Sequence, residues 1–194
     1  GKVEWSITRR PFWLRAYMPN PYNQSYEQVT QGTADVNQKG QFQFTFIPER
    51  EQTDSDRPVC QSYEVKARLT DSKGETQETS YVFSVGDAGI VLSLQLNYWL
   101  EKEKAEAKVI AQTLNGEKVK AQGSYTLYKL TEKKEPNTGS ITYETDSILA
   151  VGPFSTDQTL TDAFKNLTSG RYRLQVNSMD QKGVKVKAEG NFIL

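Results

Sequence analysis

Tyr63-Glu64-Val65-Lys66-Ala67-Arg68-Leu69-Thr70-Asp71-Ser72-Lys73-Gly74, closing at Phe83, returns later in the chain as Tyr172-Arg173-Leu174-Gln175-Val176-Asn177-Ser178-Met179-Asp180-Gln181-Lys182-Gly183, closing at Phe192. Tyr, Asp, Gly and Phe keep one offset of 109 residues at all four positions. Each copy describes a strand with alternate apolar residues and an Asp-x-x-Gly turn whose glycine supplies a positive φ. A returning strand follows and ends on an aromatic. Copies at that distance are the size of whole domains, not of short solenoid repeats. The reading that follows is two tandem β-domains, residues 1–87 and 88–194, with the boundary near Gly86 to Gly89.

Period-two alternation extends outward from both copies. Val3, Trp5 and Ile7 share one strand face; Phe42, Phe44 and Phe46 share another within Gln41 to Ile47. Tyr81, Phe83 and Val85 form the returning strand of the first copy. In the second half, Ile90, Leu92, Leu94 and Leu96 alternate, as do Tyr125, Leu127 and Lys129, Tyr172, Leu174 and Val176, then Val184, Val186 and Ala188. Asn37 to Gly40, Asp71 to Gly74, Asn115-Gly116 and Asp180 to Gly183 are the turns between them. Glu101 to Ala111 is helical in composition, but it follows one strand and leads into Val109 and Ile110, so it reads as a loop running into a strand. Asp162 to Leu167 reads as a short helical turn. The fold class is all-β, as antiparallel Ig-like sandwiches. Matching Gly123 to Tyr128 with Val3 to Thr8 leaves two strands of the second domain without a counterpart. The first domain is therefore expected to lack its two opening strands and to hold five, and the second to be a complete seven-stranded sandwich.

Composition narrows the function classes. Of 194 residues, 36% are hydrophobic and 25% charged, a polar balance that suits thin sandwiches in which alternate strand residues face water. Ten Tyr, eight Phe and three Trp are too many aromatics for a disordered tail. Formal net charge is zero and neither half is basic, which argues against a nucleic-acid partner. No apolar run is long enough to cross a membrane as a helix. The chain has one cysteine and no histidine. A Ser/His/Asp triad, a Cys/His dyad, an internal disulfide and the usual zinc ligand sets are thereby excluded within it. With Gly at position 1 the chain reads as an excised segment, so a missing leader says nothing of where the parent protein resides.

The order of motifs carries a family resemblance. Val3-Glu4-Trp5-Ser6-Ile7-Thr8-Arg9-Arg10, Asp35-Val36-Asn37-Gln38-Lys39-Gly40-Gln41-Phe42, Tyr63 to Asp71, Gly74-Glu75-Thr76, Leu114-Asn115-Gly116-Glu117-Lys118-Val119 and Tyr128-Lys129-Leu130 together resemble the macroglobulin (MG) domains of bacterial, Bacteroidetes-type α2-macroglobulin-like proteins. The resemblance covers residues 1–130 best. It implies seven-stranded sandwiches strung as beads in a broad-spectrum protease inhibitor of the periplasm or cell envelope. It further implies neighbouring domains of the parent as partners, with target proteases engaged through the whole parent. The thioester of many members needs a Cys-Gly-Glu-Gln type motif. Val59-Cys60-Gln61-Ser62 does not match it, so no functional residue of the family carries over.

No catalytic, cofactor-binding or metal-binding residue is assigned, and no cofactor is expected. Cys60 has only Arg57 as a near cation in sequence, so it reads as structural. Phe12-Trp13-Leu14-Arg15-Ala16-Tyr17-Met18-Pro19-Asn20-Pro21-Tyr22 is aromatic for a loop. It reads as packing over the sandwich, with an interface or a sugar-stacking surface as alternatives. Asp54 and Asp56 lack the further oxygen ligands that calcium requires. The mixed-sign run from Glu101 to Lys108 reads as a solvated edge. The function expected is a non-catalytic scaffold; the alternative is a carbohydrate-binding or adhesive sandwich module of a cell-surface protein.

Overall fold

The computed structural model describes residues 1–10, 12, 26–49, 59–71 and 73–194. The chain divides into two compact units, Gly1–Asp87 and Ala88–Leu194. Both are built from antiparallel strands.

Among the described residues the first unit forms a four-stranded sheet. Its strands are β1 (Lys2–Arg10), β2 (Glu27–Asp35), β3 (Cys60–Thr70) and β4 (Thr76–Gly86), in the order β2-β1-β3-β4. Val3, Ile7, Tyr63 and Ala67 are buried on one face, as the alternation requires. The expected strand Gln41 to Ile47 is corrected. Among the described residues it joins no sheet. Its alternation still orients it. Phe44 stacks on Trp5 with centroids 4.2 Å apart, and Phe46 meets Tyr63 edge-on at 5.2 Å. Phe42 remains exposed. Among its described residues the unit thus has four strands plus an aromatic strap. The stack buries Trp5 Nε1 with no acceptor among the described residues, a cost of about 1–3 kcal/mol that the ring contacts must offset.

The second unit has two facing layers. One holds β5 (Ile90–Gln95), β6 (Ala107–Thr113) and β10 (Thr159–Leu160) in the order β10-β6-β5, with β7 (Lys118–Val119) paired to β6. The other holds β8 (Gln122–Lys134), β9 (Ile141–Ser155), β11 (Arg171–Met179) and β12 (Lys185–Ile193) in the order β12-β11-β8-β9. Leu92, Val109, Leu127, Phe164, Leu174, Val176 and Phe192 form the core between them. The charged run beginning at Glu101 makes a 3-10 turn, Lys102–Lys104, before β6; a second such turn, Asp162–Phe164, precedes β11. The strands number eight, two of them two residues long.

The two four-stranded sheets are one design used twice. Their strand orders correspond, β2-β1-β3-β4 to β9-β8-β11-β12. Tyr63 lies opposite Phe83 in the register, and Tyr172 lies opposite Phe192. Both pairs stack, at 5.7 Å and 5.3 Å between centroids. Asp71 Oδ1 accepts the N–H groups of Lys73 and Glu75; Asp180 Oδ1 accepts those of Lys182 and Val184. The turn glycines have φ of 85° and 80°, a region in which only glycine is unstrained.

The correspondence reaches strands with little apolar pattern. Trp5 lies opposite Gly32 and Tyr125 opposite Gly152. A Cβ on either glycine would come within 2.7 Å or 2.8 Å of the facing ring, so the aromatic occupies the volume that a side chain would need. The β1–β2 register slips after Ile7 and leaves Val29 unpaired; the β8–β9 register slips after Leu127 and leaves Leu149 unpaired. Both bulges fall on edge strands, where they interrupt a flat pairing edge.

One carboxylate ties the second unit together. Besides its turn, Asp180 accepts the backbone N–H of Gly89 through Oδ2 at 2.8 Å, joining the approach to β5 to the β11–β12 hairpin. These bonds favour the charged form, that from Gly89 most, and hold the Asp180 carboxyl below its ordinary value against the opposing effect of desolvation. The unfolded chain therefore binds the proton more readily than the folded one. The stabilisation is complete above the ordinary carboxylate range near pH 4 and is lost as pH falls through the lowered native value. Acid unfolding followed by circular dichroism should show Asp180→Asn less stable than the parent at pH 7. The two should converge toward low pH, and a constant difference across that range would contradict the assignment.

Candidate functional site: an aromatic and arginine cluster on the second unit

Pairing register brings four distant segments to one end of the β8–β9–β11–β12 sheet. Arg171 is opposite Ile193 on one side and Leu130 on the other. Trp99 bridges to Ile193, and the segment is fixed there by Leu100 N–H donating to Ile193 O and Ile193 N–H to Tyr98 O. Glu132 is opposite Tyr143 on the β8–β9 hairpin.

The side chains form a connected group. Arg171 Nη1 donates to Tyr98 Oη at 3.0 Å, and its guanidinium lies 4.5 Å from the centroid of the Tyr143 ring. Arg171 Nε is 3.9 Å from Glu132 Oε1, which accepts from Tyr143 Oη at 3.4 Å. Tyr98 and Trp99 meet at 90° with centroids 5.5 Å apart. Trp99 is 70% exposed and Tyr98 50%. The group thus offers open ring surface, N–H donors and carboxylate acceptors within one neighbourhood. Sequence reading did not single it out, because its members come from strands tens of residues apart. The adjacent Tyr98-Trp99 pair, immediately past an alternating strand, was the available signal.

Residues raised from sequence lie elsewhere. Cys60 is the first residue of β3, opposite Gly86. Burial first, and the charge of Asp87 second, push its thiol up to about 11, so it is protonated at neutral pH and a poor nucleophile. Asp87 itself accepts the backbone N–H of Val59 at 2.9 Å. Of the segment Phe12 to Tyr22 only Phe12 is described, and it is buried; Trp13 to Tyr22 lie outside the described residues, as do Asp54 and Asp56. Glu101 pairs with Lys104 at 2.7 Å on an exposed turn. Among the described residues no group of three or more Cys, Asp or Glu is placed to hold a metal ion. No helix of the described residues is long and apolar enough to cross a membrane.

No protein-family model matches the chain, and no curated protein matches it. Among solved structures, the chain is similar at 15% identity and a TM-score of 0.33 to one described as the crystal structure of a tetra-tandem repeat in the extending region of a large adhesion protein. The match covers 99% of this chain, which spans 42% of that one.

Proposed function

We propose that the chain is a non-catalytic scaffold, a pair of macroglobulin-type β-domains within a larger extracytoplasmic protein of the α2-macroglobulin-like protease-inhibitor kind. The observation that carries this reading is the duplicated sheet, with its turn, bulge and ring-covered glycine repeated at matching register. Repetition of structural devices, not of a reactive group, is what selection for a spacer would retain. Among the described residues, Asp71, Asp87 and Asp180 accept backbone N–H groups and Cys60 is held protonated. The family is proposed on the sequence resemblance alone. Its partners would be neighbouring domains of the parent, whose packing shifts when a bait segment elsewhere is cut, and proteases would be met only through the whole parent.

The chain alone should then leave proteolysis untouched. Trypsin incubated with a molar excess of the purified chain is expected to hydrolyse casein at its uninhibited rate once competition by the added chain as substrate is subtracted. Stoichiometric loss of activity would contradict the scaffold reading.

A further inference from the structure

We propose that Tyr98, Trp99, Glu132, Tyr143 and Arg171 form a saccharide-binding site on the second unit. The site does not depend on the scaffold reading, which stands or falls by the protease experiment. Two features separate this group from ordinary surface aromatics. The first is exposure without burial elsewhere. Trp99 projects with 70% of its surface open, yet the backbone beneath it is pinned on both sides by hydrogen bonds to Ile193. A large apolar surface held rigidly in water is costly to maintain and is suited to stacking, because little conformational freedom remains to be lost on binding.

The second feature is what surrounds the rings. Trp, Tyr and Arg also anchor protein interfaces, but there a core depleted of other charges excludes water, whereas Glu132 beside these rings is 60% exposed. Here the neighbours are hydrogen-bonding groups. Arg171 carries more N–H donors than its contacts to Tyr98 and Glu132 use, and Glu132 is exposed with acceptor capacity beyond the Tyr143 hydroxyl. The adjoining face continues in the same style, with Arg173 Nε donating to Asn191 Oδ1 at 3.0 Å and Gln175 Nε2 to Asn177 Oδ1 at 3.1 Å. Flat rings beside planar, bidentate donors and acceptors match a pyranose, whose C–H face is apolar and whose rim carries vicinal hydroxyls. Tyr143 against the guanidinium and Glu132 beside it hold Arg171 in place, so the donor is oriented before a ligand arrives.

The test is isothermal titration of the full chain with cellohexaose, mannohexaose, xylohexaose and chitohexaose, each to about 10 mM, in the weak-affinity range where single sites of this size operate. At least one is expected to bind and to change tryptophan fluorescence, a change that Trp99→Ala should abolish. Trp99→Ala and Arg171→Ala should each weaken binding at least about tenfold, the loss expected of a stacking ring or a charged hydrogen bond. Tyr81→Ala, which removes an exposed aromatic from the first unit, should leave it unchanged. Unaltered melting temperatures of the variants keep the comparison free of misfolding. Absence of heat with all four sugars, or binding undiminished in Trp99→Ala, overturns the proposal.

Discussion

Phe192→Ala is expected to destabilise the second unit by about 3–5 kcal/mol, the usual cost of emptying a large buried aromatic site. Phe192 is 1% exposed. Its ring packs against Tyr172 at 5.3 Å and Phe164 at 5.3 Å, so its neighbours come from the opposite strand and from the turn before β11. None can collapse into the void without leaving its own place. Phe83 holds the repeat-equivalent position in the first unit and stacks on Tyr63 at 5.7 Å, but it is half-buried and is flanked by Tyr81, which is 68% exposed. Phe83→Ala should therefore cost clearly less. The reason lies one layer away. In the second unit β5 and Leu96 cover β12, and a Cβ on Gly190 would meet Leu96 at 3.1 Å. In the first unit the position equivalent to Gly190 is Tyr81. At Gly190 the packed Leu96 leaves little room for a side chain, whereas the ring of Tyr81 at the equivalent position is 68% exposed. Denaturant unfolding of the full chain and of each variant, followed by circular dichroism, would check this. Equal losses for the two variants, or a loss under about 1 kcal/mol for Phe192→Ala, would mean that the copies are not packed as described.

The central strands β1, β3, β8 and β11, and the edge strands β4 and β12, were readable from sequence because their apolar residues alternate, and the turns at Asp71 and Asp180 are fixed by short-range chemistry that four residues suffice to specify. The opposite edge strands, β2 and β9, were not readable. β2 runs Glu27-Gln28-Val29-Thr30-Gln31-Gly32-Thr33-Ala34-Asp35. Its inward positions are Thr30, Gly32 and Ala34, because Trp5 supplies the bulk from the neighbouring strand. β9 contains two bulges, which move Ile148, Leu149 and Val151 out of a period-two phase. An edge strand that borrows apolar volume from its partner, or breaks its register to avoid further pairing, loses the alternation on which sequence reading rests.

The opposite error occurred at Phe42, Phe44 and Phe46, where alternation is strong but no sheet forms. Side-chain period reports which face a segment presents. It does not report whether a backbone partner exists. The aromatic cluster escaped for a third reason. Its members are adjacent only through the register that sets Trp99 by Ile193, Ile193 by Arg171 and Arg171 by Leu130. Long-range pairing of that kind has no local signature in composition or spacing, whereas the conspicuous run from Phe12 to Tyr22 drew attention by density alone.

Gly123→Ala carries the other large effect. A Cβ at this position would lie 2.0 Å from the carbonyl oxygen of Asn177 and 2.8 Å from the ring of Phe154. The first obstacle is backbone in the centre of a sheet, held by the β8–β11 register from Gly123 through Leu130, and it cannot rotate away as a side chain would. The expected cost is about 3 kcal/mol or more, at or beyond the upper end of ordinary overpacking. The repeat explains why glycine is there. In the first unit the corresponding position is Val3, buried and opposite Ala34; in the second it is Gly123, opposite Phe154, which is 4% exposed. The two copies fill the same site from opposite strands, one with a valine and an alanine, the other with a phenylalanine and nothing. Relief of the ring contact alone should therefore fail. Adding Phe154→Ala to Gly123→Ala is expected to lower stability further, since it empties the site without moving the Asn177 carbonyl. Thermal unfolding of the two variants would decide it. A double variant more stable than Gly123→Ala would show that the ring, not the backbone, sets the requirement for glycine.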